Sequence, residues 1–298
     1  MKQTILLFLI CFSLSSFGQQ TISDTITHDG MERAFIVYVP KIYKEGTKVP
    51  LLFNFHGYTS KAKDQMWYGE FREIADTANF IIAYPMGTKD SANNTHWNVG
   101  WAKPTTDDVA FTSALIDSLS ADYSIDQKRI YSTGMSNGGF MSFKLACELS
   151  DRIAAVASVA GSMQPYTLKN AKPSHPMPIL QIHGDADGLV PYEGNSKWTR
   201  PIESLISDWT SFNKITTKPV VVNLPDTDPD DESTVVKTTY QNQNNCVEVI
   251  HYKVIGGDHA WPGAMIPLDG TNYDFDASEV IWEFLSKYNM DGLIGCGK

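Results

Sequence analysis

Apolar residues fall along this chain in short runs, separated by polar stretches rich in glycine and proline. Residues 33–39 (Arg-Ala-Phe-Ile-Val-Tyr-Val) predict a strand ended by Pro40, and Pro50 to Phe55 predict another. The spacing of Trp67, Phe71 and Ile74 predicts a helix over 65–78, followed by a strand over 79–85. Phe111, Leu115 and Leu119 recur at i, i+4 and i+8 behind Thr106-Asp107-Asp108, which predicts a helix with the two aspartates as caps. Ile130 to Thr133 predict a short strand that runs through a glycine-bearing turn into a helical pattern. Residues 154–160 and 178–182 predict further strands, and 201–213 an amphipathic helix. Strand-like runs follow at 234–240 and 247–255, and a closing helix at 277–287. Continuous apolar runs bounded by turns suit strands covered on both faces. Their alternation with helices from residue 50 onward predicts an α/β fold with a mostly parallel sheet and helices on both faces.

Composition fits one large domain: 298 residues, 42% hydrophobic and 11% aromatic. The first 18 residues stand apart. Lys2 precedes an apolar run from Ile5 to Phe12 and a small-residue end at Gly18, the pattern of a secretory signal. Cleavage after Gly18 would leave a single domain over 19–298 in a secreted protein, extracellular or periplasmic, with no membrane insertion after signal removal. Losing Lys2 leaves 23 basic against 34 acidic residues, a net charge of −11. Such a surface argues against nucleic acid and anionic membranes as partners. Three cysteines follow the signal. Cys147 falls inside a predicted helix and reads as a small buried hydrophobe, which leaves Cys246 and Cys296 as a candidate disulfide. No cysteine or histidine spacing predicts a metal site, and no cofactor is expected.

The candidate chemistry starts at Gly134-Met135-Ser136-Asn137-Gly138, placed between a strand and a helix. The G-x-S-x-G pattern alone is weak, since residues at about 7% usage each give it by chance in about one chain in ten of this length. Between a strand and a helix it reads as a nucleophile elbow, with Ser136 at the tip of a sharp turn and the Asn137 amide as an oxyanion donor. The loop His56-Gly57-Tyr58 ends an early strand and offers the Tyr58 amide as the second donor; His56 reads as an orienting residue. Asp187 and His259 also stand just past predicted strands. The order serine, aspartate, histidine is that of α/β-hydrolases. His259 is the expected base and Asp187 the expected acid, with Asp185 open as a rival. His28, His96, His175 and His251 lack suitable flanks, and His183 is too near the acid in sequence to be the base. Trp97 and Trp101, in one polar loop, read equally as a substrate platform or as packing. Trp261, beside His259, reads as a further cleft wall or as packing for its loop. The acidic stretch 224–233 reads as a solvated loop.

Together these motifs resemble a secreted esterase group: the feruloyl and acetylxylan esterases of carbohydrate esterase family 1, and the polyhydroxybutyrate depolymerases. The residues that carry the resemblance are Phe55-His56-Gly57, Tyr84-Pro85, Trp97-Asn98, Asp107 to Phe111, Gly134 to Gly139, His183 to Asp187 with Val190-Pro191-Tyr192, and Gly257 to Gly263. They span residues 33 to about 288. The resemblance implies the α/β-hydrolase fold, favours Asp187 over Asp185, and implies a serine carboxylesterase acting through an acyl-enzyme. It implies an ester-bearing polysaccharide, oligosaccharide or small polyester as substrate. Feruloyl or acetyl esters of plant cell-wall polysaccharide come first, because loop tryptophans suit sugar or phenolic rings. Short hydroxyalkanoate esters are the alternative, and a non-catalytic carbohydrate-binding relative is an alternative of another class. No binding module accompanies the motifs, which argues against a dedicated degrader of solid polyester. Tyr58 and His96 stand where the group often has cysteines, so its disulfide pattern does not carry over. The oligomeric state is not legible.

Overall fold

The computed structural model describes residues 19–101, 106–170, 173–266 and 268–296. The expected signal, residues 1–18, lies outside the described residues. Ten strands form one sheet: β1 (Gln20–His28), β2 (Met31–Val39), β3 (Val49–Phe55), β4 (Ile81–Pro85), β5 (Ile125–Gly134), β6 (Ala155–Val159), β7 (Ile179–Gly184), β8 (Val220–Asn223), β9 (Thr234–Gln241) and β10 (Glu248–Ile255). Their order is β1-β2-β4-β3-β5-β6-β7-β10-β9-β8. The six central strands, β4 to β10 in that order, are parallel. The outer pairs are antiparallel. β3, β4, β6 and β7 are buried at every residue, as continuous apolar strands between two helical layers should be.

Helices α1 (Ala62–Tyr68), α2 (Arg72–Ala78), α3 (Asp108–Asp122), α4 (Asn137–Glu148), the single turn α5 (Thr167–Asn170), α6 (Ile202–Phe212) and α7 (Ala277–Leu285) complete the domain. Phe111 and Leu115 of α3, Phe140 and Phe143 of α4, and Leu205 and Trp209 of α6 pack one core. Met66 of α1, Ala75 of α2, and Ile281 and Phe284 of α7 pack the other, with Phe71 between α1 and α2. The predicted α/β-hydrolase architecture is therefore present, with the C-terminal ends of the parallel strands left open for chemistry.

Four details differ from expectation. The helix expected over 65–78 is two helices, broken at residues 69–71. A Cβ on Gly69 would lie 2.8 Å from Gln65 Nε2 and 3.1 Å from Trp261, and Asn54 Nδ2 donates to Gly69 O. Gly69, the C-cap, leaves helical geometry there at φ −104° and ψ 75°. Strands β1 and β8 were not expected: β8 is exposed throughout, and β1 offers only partly buried residues, Ile22 and Ile26 among them. Asp107 caps α3 by accepting from Ala110 N, but Asp108 does not cap. It is buried, accepts from Arg33 Nη2 at 2.6 Å, and takes the Asn98 N–H on its other oxygen at 2.7 Å. In agreement with the sequence reading, Cys246 and Cys296 form a disulfide, and Cys147 is buried and free. Among the described residues no helix is long and apolar enough to cross a membrane.

Candidate active site

β5 delivers Met135 and Ser136 to a turn that opens α4. Ser136 has φ 55° and ψ −121°, a left-handed conformation costly for a residue with a Cβ. Two short bonds hold it there: Ser136 N–H donates to Val159 O at 2.8 Å, and Gly138 N–H donates to Met135 O at 2.7 Å. The flanking glycines are required by proximity. A Cβ would fall 2.6 Å from Phe55 O at Gly134 and 2.1 Å from the same oxygen at Gly138. The elbow is thus pressed against the end of β3. The loop after β3 follows the serine closely, since a Cβ on Gly57 would sit 3.5 Å from Ser136 Cβ.

Asp187 follows β7 and His259 follows β10, neighbouring strands of the sheet. His259 Nδ1 donates to Asp187 Oδ2 at 2.8 Å. The other carboxylate oxygen takes the N–H groups of Leu189 at 2.9 Å and Val190 at 2.7 Å. Burial by itself would raise the Asp187 carboxyl. The hydrogen bond and charge of His259, with help from His183 and the Val190 N–H, outweigh it and hold the pKa below its usual value. The carboxylate is therefore an ionised acceptor for the Nδ1 proton of His259. Asp185, the sequence-level rival, faces elsewhere. It accepts from Gly256 N at 2.8 Å and lies 3.4 Å from Lys253 Nζ. Asp258 ties the two loops together, accepting from Gly188 N at 3.1 Å and from His259 N at 2.7 Å.

Ser136 and His259 line one cleft of about 850 Å³, with Tyr58, Trp101, Trp198, Leu189, Ile266 and Leu268 among its other walls. His56 lies behind it, buried. Its Nδ1 donates to Gly57 O at 2.7 Å and its Nε2 accepts from Gly87 N at 2.9 Å. Burial, only partly offset by the bond to Gly57, lowers its pKa to about 4, so the ring is neutral and structural. The Tyr58 phenol points to Asp90, at 2.6 Å. Asn137 is fully buried, and its side chain exchanges bonds with the backbone of Trp97, pinning that loop to the elbow.

Of the three tryptophans expected to meet substrate, only Trp101 reaches the cleft. Trp97 is fully buried, edge-on to Phe55, and donates its indole N–H to His56 O at 2.8 Å. Trp261 is 1% exposed, donates to Ser278 Oγ and packs on Phe71. Both are packing residues, so their expected role in substrate binding is corrected. Sequence reading missed Trp198, whose backbone oxygen accepts from Trp101 Nε1 at 3.2 Å, and the apolar pair Ile266 and Leu268. All three lie in irregular loops where no periodicity marks a side chain's direction. Among the described residues no group of three or more His, Cys, Asp or Glu could hold a metal ion.

A family model described as phospholipase/carboxylesterase matches residues 103–218. NocK of Nocardia uniformis subsp. tsuyamanensis, a protein assigned as an esterase, is 30% identical over 248 residues, covering 73% of this chain and 67% of its own length. The bifunctional acetylxylan esterase/xylanase XynS20E of Neocallimastix patriciarum is 25% identical over 274 residues, 92% of this chain and 36% of that protein. Feruloyl esterase B of Piromyces equi is 29% identical over 238 residues, 76% of this chain and 42% of that protein. The chain thus matches well under half of the latter two. Among solved structures, the acetyl xylan esterase from Aspergillus awamori superposes with a TM-score of 0.63 at 12% identity, over 91% of this chain and 99% of that one. Esterase PE8 gives 0.53 at 17% identity, over 80% and 94%. At these identities the two structures speak for the fold.

Proposed function

Because the chain belongs to the feruloyl esterase-like group of α/β-hydrolases and is a serine hydrolase of carboxylic esters, we propose that Ser136, His259 and Asp187 are its triad and that it releases hydroxycinnamoyl or acetyl groups from plant cell-wall polysaccharide. The observation that carries the reading is the shared cleft: Ser136 and His259 line it, and His259 is bonded to a buried carboxylate behind it. Ser136 Oγ attacks the ester carbonyl while His259 Nε2 takes its proton. The amides of Asn137 and Tyr58 receive the developing oxyanion, helped by the N-terminus of α4. His259 returns the proton to the departing sugar alcohol. Water, activated by the same ring, then releases the acid and restores the serine.

The apolar walls built by Trp101, Trp198, Leu189, Ile266 and Leu268 favour an aromatic acyl group over acetyl, which would leave most of about 850 Å³ unfilled. The same reading makes the protein exported, with residues 1–18 removed and 19–298 as one domain; the disulfide supports it. A fluorophosphonate probe followed by peptide mass spectrometry tests the nucleophile. Labelling on the peptide that holds Ser136, and its loss on heat denaturation, are expected. An unlabelled folded protein contradicts the reading.

A further inference from the structure

The Asp187 carboxylate has a second histidine against it. His183 Nε2 lies 3.4 Å from Asp187 Oδ2, the oxygen that faces His259, and the side chains of His183 and Asp187 are fully buried. His183 stands near the end of β7, two residues after Gln181, so strand alternation sets both side chains on one face. Their bonds form a connected path. Gln181 Nε2 donates to His183 Nδ1 at 3.0 Å and to Gly161 O at 2.8 Å. His183 Nε2 donates to Val190 O at 2.8 Å, and Val190 N donates to Asp187 Oδ1 at 2.7 Å. With Nδ1 accepting, the ring is neutral and carries its proton on Nε2. Burial lowers its pKa and outweighs the neighbouring Asp187 charge, which keeps the ring neutral.

The path ends at the nucleophile's turn. A Cβ on Gly161 would lie 2.8 Å from Ser136 O. One end therefore holds the loop of the acid and the other abuts the backbone of the elbow. Among the described residues that wall the cleft, His183 is absent, so it does not meet substrate.

We propose that His183, held by Gln181, is a positioning residue for Asp187; this rests on Asp187 being the triad acid. Its N–H fixes the Val190 carbonyl, and the Val190 amide in turn fixes Asp187 Oδ1. The same N–H presents a positive edge to Oδ2. A carboxylate restrained at both oxygens cannot turn away from His259 during turnover.

The test compares His183→Leu, His183→Gln and Asp187→Asn on a soluble 4-nitrophenyl ester, with thermal melting of each. Leucine removes the N–H, whereas glutamine can place one near the Nε2 position. His183→Leu is expected to lower kcat about tenfold with KM unchanged, the upper end for one neutral hydrogen bond, and His183→Gln to restore most of it. An unchanged kcat in His183→Leu, while Asp187→Asn loses activity, overturns the positioning role. Unimpaired Asp187→Asn overturns the assignment of the acid, and the positioning role with it. Should His183→Leu fail to fold, Gln181→Met frees the ring without emptying its site. It carries the same expectation, and an unchanged kcat there overturns the role.

Discussion

His259 Nδ1 meets Asp187 Oδ2 at 2.8 Å although 72 residues of chain separate them. The contact exists because β7 and β10 are adjacent parallel strands, paired from Ile179 with Val249 to Gly184 with Val254. Each residue follows the end of its strand, so sheet pairing, not local sequence, brings His259 and Asp187 together. Asp258 then cross-links the loops. The glycines at this junction are fixed by contact: a Cβ on Gly184 would fall 2.1 Å from Gly257 O.

The elbow predicts a trade between activity and stability. Ser136 sits at φ 55°. Ser136→Gly should remove activity and raise stability by about 1 kcal/mol, the cost of a strained backbone conformation. Ser136→Ala should remove activity while keeping the strain. Denaturant midpoints of the three proteins check this; equal midpoints would show that the turn stores no strain.

The tryptophans separate by burial. Trp97→Ala should cost about 3–5 kcal/mol of stability, because it empties a fully buried site and strips a donor from His56 O. Trp101→Ala, at a residue 36% exposed, should leave stability nearly unchanged and raise KM for methyl ferulate more than for a 4-nitrophenyl acetate control. Melting curves and initial rates on both esters check the pair.

The buried pair Arg33–Asp108 anchors the loop that carries Trp101, through the Asn98 N–H. Asp108→Leu alone leaves a guanidinium buried without its partner and should cost about 3–5 kcal/mol. The double variant Arg33→Met with Asp108→Leu should recover part of that loss. A double-mutant cycle by chemical denaturation measures it; strictly additive losses would count against a coupled pair.

Stability should fall in mild acid. Burial lowers the pKa of His56 to about 4 and that of His251 to about 3, against 6.5 for a free ring. Below pH 6.5 the unfolded chain therefore binds protons that the folded chain still refuses. The folded state loses ground as pH drops from 6.5 towards 4, by roughly 3 kcal/mol for each ring. Melting temperatures between pH 7 and 4 should decline, with a shallower slope in His251→Gln. An unchanged slope would contradict the assignment.

The candidate site was more legible than the walls around it. The placement of Ser136, Asp187 and His259 just past strand ends could be read because glycines mark those ends and chain order narrows the choice. The helix expected over 65–78 breaks at Gly69, where Gln65 and Trp261 crowd the site of a side chain, and those contacts are remote or fold-dependent. Strand β1 had one missed signal. Asp29-Gly30 turns the chain with φ 50° and 74°, a hairpin turn that its dipeptide predicts. Asp108 looked like a cap because nothing local announces Arg33, 75 residues away. The burial of Trp97 and Trp261 likewise depends on partners that only the assembled sheet supplies.

The most direct measurement is chromatography of the acids released from feruloylated, acetylated arabinoxylan by the protein and by Ser136→Ala. Ferulate in excess over acetate, released by the unmodified protein alone, is the predicted result. No release from the polysaccharide, by a protein that still cleaves a short 4-nitrophenyl ester, would contradict the proposed substrate and turn attention to small hydroxyalkanoate esters.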